Sequence, residues 1–344
     1  MDRNYVKDLL DNLSNYCIFK SEENKILLIA PQKCGSTSIF VTLCNHFIGT
    51  RQDYEQTFSH EYKSELCIHS HLKNTLSINP QQLKAIFSDP TYLRILVVRD
   101  PVERLCSAIC SKYIIKNSPF YLREISSKLD NEDQMHAETY DCADHFTRDF
   151  NLIASIILSK GAIFSNEKSS HAAPITELIP RQLLPFFTRI INISNTESWD
   201  DLRSTINDHL SQLHISPPLI KRFPKINEGP ISSSQRFLSN ANLSIAYSRY
   251  EQDYNVLKLK HPPAEDHQQT QPSPEELEKI NNFVSSASRS IYLFNKGKEL
   301  IREISEKNKE ELKIIQDKNN LRSKELDENY KKSESLLRDN YIAE

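Results

Sequence analysis

KILLIAPQKCGSTS, residues 25–38, decides the fold. KILLIA (25–30) is a continuous apolar run of strand length, the pattern of a strand covered on both faces. PQKCGSTS breaks it, and Ile39, Phe40, Leu43, Cys44 and Phe47 then recur at helical spacing. The order is strand, tight loop, helix. Such a junction aims free backbone N–H groups and the positive helix end at one point, which suits an anion. Gly35 lets the backbone come close, Lys33 adds a full charge, and Ser36, Thr37 and Ser38 add hydroxyl donors. An ordinary strand-to-helix turn that happens to hold a lysine is the alternative. The spacing GxxxxGK[ST] is absent, because here the Lys precedes the Gly by two.

LRILVV (93–98) repeats the buried-strand pattern and runs into RDPVERLCS (99–107). Asp100 is placed to N-cap the next helix, Pro101 suits its first position, and Glu103 sits three residues after the cap. Val102, Leu105, Cys106, Ile109 and Tyr113 share one apolar helical face, and Arg104, Ser107 and Ser111 fall on another. Arg99 stands at the carboxyl end of a central strand, where open α/β sheets bind ligands. With the Ser107 hydroxyl two turns into the helix, its guanidinium would clamp a second phosphate. Arg104 reads as a solvated or ion-paired helix residue.

Around these junctions, Val6, Leu9, Leu10 and Leu13 fit a short amphipathic helix, ELCIH (65–69) a strand, and 80–87 a helix. The polar stretch 117–139 has no period. Helical patterning returns at 141–159, RIINIS (189–194) reads as a strand, and an Asn195/Thr196 turn opens a helix through Leu213. A Pro/Ser-rich loop covers 216–236, and 243–259 is helical. Buried strands alternating with helices predict an α/β fold with a parallel sheet flanked by helices. Three segments are expected: a domain over 1–260, a Pro/Gln-rich linker over 261–274, and a charged helical extension over 275–344. In the extension a helix over 275–295 precedes a Lys/Glu-rich one whose apolar residues approach a heptad only intermittently. That describes a long solvated helix or a weak coiled coil, and so a route to homo-oligomers. No internal repeat is evident.

With 43 Lys and Arg against 46 Asp and Glu the net charge is -3, so a broad basic face for nucleic acid is not expected. The N-terminal residues lack the apolar core of a signal peptide or anchor, and no run of about 18 apolar residues offers a transmembrane helix. The seven cysteines lie mostly in apolar runs with no zinc spacing, the pattern of buried thiols in a reducing compartment. A cytoplasmic location is therefore expected.

The two junctions together, in order and about 65 residues apart, make a resemblance specific. PQKCGSTS and RDPVERLCS resemble the 5′-phosphosulfate and 3′-phosphate motifs of sulfotransferases that use 3′-phosphoadenosine-5′-phosphosulfate (PAPS). The RDPxERLxS form is similar to the carbohydrate branch, including heparan sulfate or uronyl 2-O-sulfotransferases and chondroitin-type enzymes. The resemblance implies a P-loop-like sulfotransferase fold. It implies that Lys33, Cys34, Gly35, Ser36, Thr37 and Ser38 hold the 5′-phosphosulfate, and that Arg99 and Ser107 hold the 3′-phosphate.

Between the motifs lies Cys67-Ile68-His69-Ser70-His71. On the residues alone the two histidines read as polar loop residues; as a metal pair they have no third ligand at suitable spacing. In the 2-O-sulfotransferases a His-x-His stands at this point. The resemblance therefore implies that His71 is the general base, with His69 assisting or binding substrate. His171-Ala-Ala-Pro174 is similar to a substrate-side segment of the chondroitin-type relatives, although their usual Trp is Ala172 here. Lys225 and Asn227, with SSSQR (232–236), align with a late loop over the nucleotide. IAYSRYEQDYNVL (245–257) resembles the family's terminal helix, with its Tyr-x-x-Asp-Tyr pattern.

The activity that the resemblance implies is sulfuryl transfer from PAPS to a carbohydrate hydroxyl, leaving PAP, without a metal. The acceptor would be a polysaccharide, an oligosaccharide or a glycolipid. In this reading His71 removes the acceptor proton, and Lys33 offsets charge developing on the leaving phosphate. Trp199 reads as a core residue. Two other classes compete: a P-loop-type ATP-dependent small-molecule kinase, which would want acidic magnesium ligands such as Asp100, and a non-catalytic coiled-coil assembly protein.

Overall fold

The computed structural model describes residues 16–47, 80–115, 139–159, 171–214, 220–223, 231, 234–260 and 267–343. The expected helix before residue 16, the strand at 65–69 and most of the stretch 117–139 lie outside them. Two compact units divide the chain, Met1–Ile291 and Tyr292–Glu344.

In the first unit the described elements run in order β1 Tyr16–Ser21, β2 Ile26–Pro31, α1 Ser36–Phe47, α2 Pro80–Ser88, β3 Leu93–Val98 and α3 Pro101–Ala108. A π-helical turn, Ile109–Tyr113, extends α3. Next come α4 Ala143–Ser159, α5 Ile175–Leu178, a 3-10 turn Arg181–Phe186, β4 Arg189–Asn192 and α6 Thr196–Gln212. A second 3-10 turn, Ser234–Phe237, leads to α7 Asn240–Leu257 and finally to α8 Pro274–Ala343.

The strands are ordered β1-β2-β3-β4. β2 pairs parallel with β3 in the register Ile29↔Leu96, and β3 parallel with β4 in the register Val97↔Ile191. The fold class is α/β, as the apolar runs require. One element departs from the all-parallel expectation: β1 lies antiparallel to β2, with Ile18 opposite Ile29. Only the four residues after Ser21 separate the two strands, too few for the crossover that a parallel pair needs.

Every residue of β2 is buried, and so is all of β3 except Arg94. The exception has a function in packing. The Arg94 guanidinium donates to the carbonyls of Ile86, Phe87 and Asp89 at 3.3, 3.1 and 2.7 Å, satisfying the open carboxyl end of α2. One core cluster surrounds the sheet and takes in Leu202, Ile206 and Leu210 of α6. A second lies among α3, α4 and α7, and takes in Ile280, Val284 and Ala287 of α8.

α8 starts in the first unit with a reciprocal cap. Ser273 N–H donates to Glu276 Oε2 at 2.9 Å, and Glu276 N–H returns to Ser273 Oγ at 3.3 Å. The Asn281 side chain then brackets Tyr140, accepting from its N–H at 2.7 Å and donating to its carbonyl at 2.9 Å. Residues 267–273 are tied to the turn before α7. Thr270 N–H reaches Arg236 O at 2.9 Å, and His267 Nε2 lies 2.8 Å from Leu238 O. The two helices expected in the extension are one continuous helix, with no proline after Pro274 to break it.

Candidate active site

The parallel pairing of β2, β3 and β4 sends their carboxyl ends to one edge of the sheet, so the loops after them meet. Lys33–Ser38 follow β2, Arg99 and Asp100 follow β3, and Ser194 and Asn195 follow β4.

After β2 the chain turns sharply. Cys34 N–H donates to Pro31 O at 3.1 Å, and both Lys33 and Gly35 have positive φ, 66° and 63°. Tightly wound backbone that opens directly into a helix is the kind of backbone from which anion-binding loops are built. Ser36, Thr37 and Ser38 are buried in the first turn of α1. Gly35 serves a purpose the sequence did not suggest. A Cβ there would lie 2.4 Å from Trp199 Cη2 and 2.8 Å from Ile193 Cδ1. The glycine admits the indole ring of α6, and Trp199 in turn packs with its ring centre 5.7 Å from that of Phe223. Trp199 lies against the sheet core, as expected, and it also braces the loop.

After β3 the shape is set by side chains. Asp100 caps α3: Oδ1 accepts from Glu103 N–H at 2.9 Å, ahead of Pro101. Its Oδ2 accepts from the Tyr254 hydroxyl at 2.8 Å, and its own N–H donates to Ser194 Oγ at 2.9 Å. Burial next to the Asp100 carboxylate pushes the Tyr254 phenol far up. Arg99 pairs with Glu103 through Nε at 3.2 Å. Burial raises the Glu103 carboxyl and the Arg99 charge pulls it back.

The two loops are stitched together. Arg104 is fully buried, and its Nη1 lies 3.5 Å from Gln32 O, so of the two readings, solvated or ion-paired, the solvated one is overturned. Its position on the inner side of α3, facing the first loop, is why. The Cys34 thiol is buried, which pushes it up to about 11, against the pull of Arg104, of Arg99 and of the Arg99 backbone N–H. In the π-helical turn after α3, burial pushes Cys110 up to about 12, and a bond with Ser234 and the Lys33 charge oppose this. Lys33 is thus within electrostatic reach of the π-helical turn. Such turns recur at functional sites, and this one carries the buried Ser111 and Lys112. Ser107 sits half-buried on α3, one turn before Ser111, whose hydroxyl donates to Ser107 O at 2.6 Å.

His171 is buried at the head of α5. The Tyr250 hydroxyl donates to Ala172 O at 2.6 Å, and the fully buried Asp253 accepts from Ile175 N–H, Thr176 N–H and Thr176 Oγ1 at 2.7, 2.8 and 2.7 Å. The Tyr-x-x-Asp-Tyr stretch therefore acts as a latch. Tyr250 and Asp253 hold the segment after His171, and Tyr254 holds the Arg99 loop. The pattern is visible in the sequence, but its partners are not.

Lys33, Cys34, Gly35, Ser36, Thr37, Ser38 and Arg99 thus belong to one edge of the sheet, and Ser107 lies further along α3, the helix that starts there. His69, His71, Lys225 and Asn227 lie outside the described residues. Among the described residues no group of three acidic, His or Cys side chains is arranged to hold a metal ion. The four cysteines whose side chains are described, Cys34, Cys106, Cys110 and Cys142, are free thiols. No described helix is long and apolar enough to cross a membrane.

Comparison with known families shows that the sequence model of the sulfotransferase family matches residues 17–260. No curated protein and no solved structure matches the chain.

Proposed function

The chain belongs to the sulfotransferase family and is a sulfuryl-transfer enzyme; from that premise we propose that it moves the sulfuryl group of PAPS to a carbohydrate hydroxyl. The observation that carries this is the pair of strand–loop–helix junctions on adjacent parallel strands, with Lys33 and Arg99 at one edge of the sheet. The donor set fits a bisphosphorylated nucleotide. One loop offers first-turn N–H groups, three hydroxyls and a lysine, and the other an arginine and the Ser107 hydroxyl.

In this reading Lys33 through Ser38 hold the 5′-phosphosulfate, Arg99 and Ser107 the 3′-phosphate, and Lys225 and Asn227 cover the nucleotide. His71 takes the acceptor proton, with His69 and His171 on the acceptor side. Lys33 stabilises charge as the leaving phosphate departs. The arrangement favours this over a kinase. Both Asp100 carboxylate oxygens are engaged, one by the α3 N-terminus and one by Tyr254, so Asp100 is a structural cap and not a magnesium ligand.

Calorimetry with PAP and ADP tests the nucleotide. PAP should bind far more tightly than ADP, and Arg99→Ala should remove most of that preference. Equal affinities would sink the assignment. His71→Ala should then lower turnover about 100- to 10,000-fold with PAP affinity unchanged. A His71 variant of near-normal rate would move the base elsewhere. Incubation with PAPS and a panel of glycans, with linkage analysis of the products, identifies the acceptor.

A further inference from the structure

We propose that the second unit pairs with another copy of this chain along an apolar seam of 11-residue period. Leu293, Ile304, Ile315 and Leu326 are spaced 11 apart, and in the sequence Leu337 continues the series. Ile301 and Leu312 precede two of them by three residues, and Tyr330 follows Leu326 by four. An 11-residue period is close to three helical turns, so these positions drift by only about 20° per repeat and form one slowly winding face. A seven-residue frame drifts off them, which is why no heptad can be followed.

The helix over this unit is continuous, and the seam is bare: Ile304, Ile315 and Leu326 are 51%, 53% and 64% exposed. Its surroundings are held by local pairs such as Arg302 Nε–Glu306 Oε1 at 3.1 Å. A run of exposed Ile and Leu on one face is not how a solitary solvated helix is built.

Charge identifies the occupant. Residues 292–344 carry twelve Lys and Arg and twelve Asp and Glu, interspersed throughout. A helical segment with no net charge does not repel its own copy, and it offers no broad field to a nucleic acid, an acidic membrane or a strongly charged protein. Asn308 and Asn319 fall within the seam, and polar residues at such positions fix the register of paired helices at some cost in stability. Burying the seven exposed seam residues on each of two chains removes roughly 1,400 Å² from water, within the range of stable interfaces. Pairing along an 11-residue repeat winds right-handed, opposite to a heptad coil.

Sedimentation equilibrium on the full chain provides the test, and its readout is independent of enzymatic activity. The native protein should sediment near twice 39.9 kDa. Ile304→Asp with Ile315→Asp should weaken the pair about 100-fold or more, because each copy then buries two uncompensated charges. Leu321 is 61% exposed and falls on the opposite side of the helix at this period, so Leu321→Asp should leave the mass unchanged. Circular dichroism of each variant confirms that helix is retained. A native chain that stays monomeric at tens of micromolar, or a seam variant that pairs as before, overturns the proposal. Equal weakening by Leu321→Asp also overturns it, since the seam would then not be the contact.

Discussion

The junction at Lys33–Ser38 and the one at Arg99–Ser107 share a layout, a buried parallel strand running into a helix, yet they keep their shapes by different means. The first is a matter of backbone. Two residues in three have positive φ, and an indole fills the space that a side chain at Gly35 would need. The second is a matter of side chains. Asp100 is shared between the start of α3 and the Tyr254 hydroxyl, and Arg99 is steadied by Glu103. A loop held by backbone shape tolerates almost no substitution at its tight point. A loop held by a network of hydrogen bonds loses strength in steps, one bond at a time.

Gly35→Ala puts that contrast under the greatest load. A methyl group at 2.4 Å from the indole, on backbone with φ near 63°, combines overpacking with a disfavoured conformation. The expected loss is about 3 kcal/mol or more, read as a large fall in melting temperature. Gly35→Ala with Trp199→Ala should not recover native stability, because the indole packing is lost and the φ strain remains. If Gly35→Ala melts like the native protein, the loop is not held as described.

Asp100→Ala is the matching test of the second junction. It removes a helix cap and leaves the Tyr254 hydroxyl buried without its acceptor, at a cost of about 2 to 3 kcal/mol. Tyr254→Phe removes one bond and should cost about 1 kcal/mol. In denaturant titrations the double variant should be less destabilised than the two single losses added, because they share a bond. Strict additivity would separate the cap from the latch.

The remaining effect is on pH dependence and is confined to alkaline solution. The Cys34 thiol ionises near 9 in the unfolded chain and near 11 in the folded one, and Cys110 is displaced further in the same direction, to about 12. Folding therefore favours the protonated thiols. Their contribution is fully present below about pH 9 and is lost as pH rises through 11 and 12. Melting temperature should decline above pH 9, and the decline should be shallower in Cys34→Ala with Cys110→Ala. A double variant with the native alkaline slope would assign the loss to other groups. Both thiols should also resist alkylation at pH 8 until the protein unfolds.

Much of the fold was legible because its signals are local. A strand buried on both faces reads as an apolar run, an amphipathic helix as a 3.6-residue period, and a cap as Asp-Pro-x-Glu. β2, β3, β4, α1, α3, α6 and α7 follow from such patterns. β1 did not stand out: its six residues include Lys20 and Ser21, and its antiparallel partner is set by the short turn to β2. The 11-residue seam was equally present in the sequence, but a seven-residue frame conceals it.

The candidate site divides in the same way. The residue types at 33–38 and 99–107, glycine, lysine, arginine and hydroxyls at strand-to-helix turns, suit an anion, and the sequence carries the reading no further than that. Who braces them was decided only in three dimensions. Trp199 against Gly35, Arg104 turned inward to Gln32, and Tyr254 reaching Asp100 across 154 residues are contacts between segments far apart in the chain. No local pattern encodes them. They exist because the parallel sheet brings the carboxyl ends of β2, β3 and β4 to one edge, and because α6 and α7 must bury their apolar faces beside that edge. Composition and period determine which segments are strands and helices; packing determines which side chains then meet.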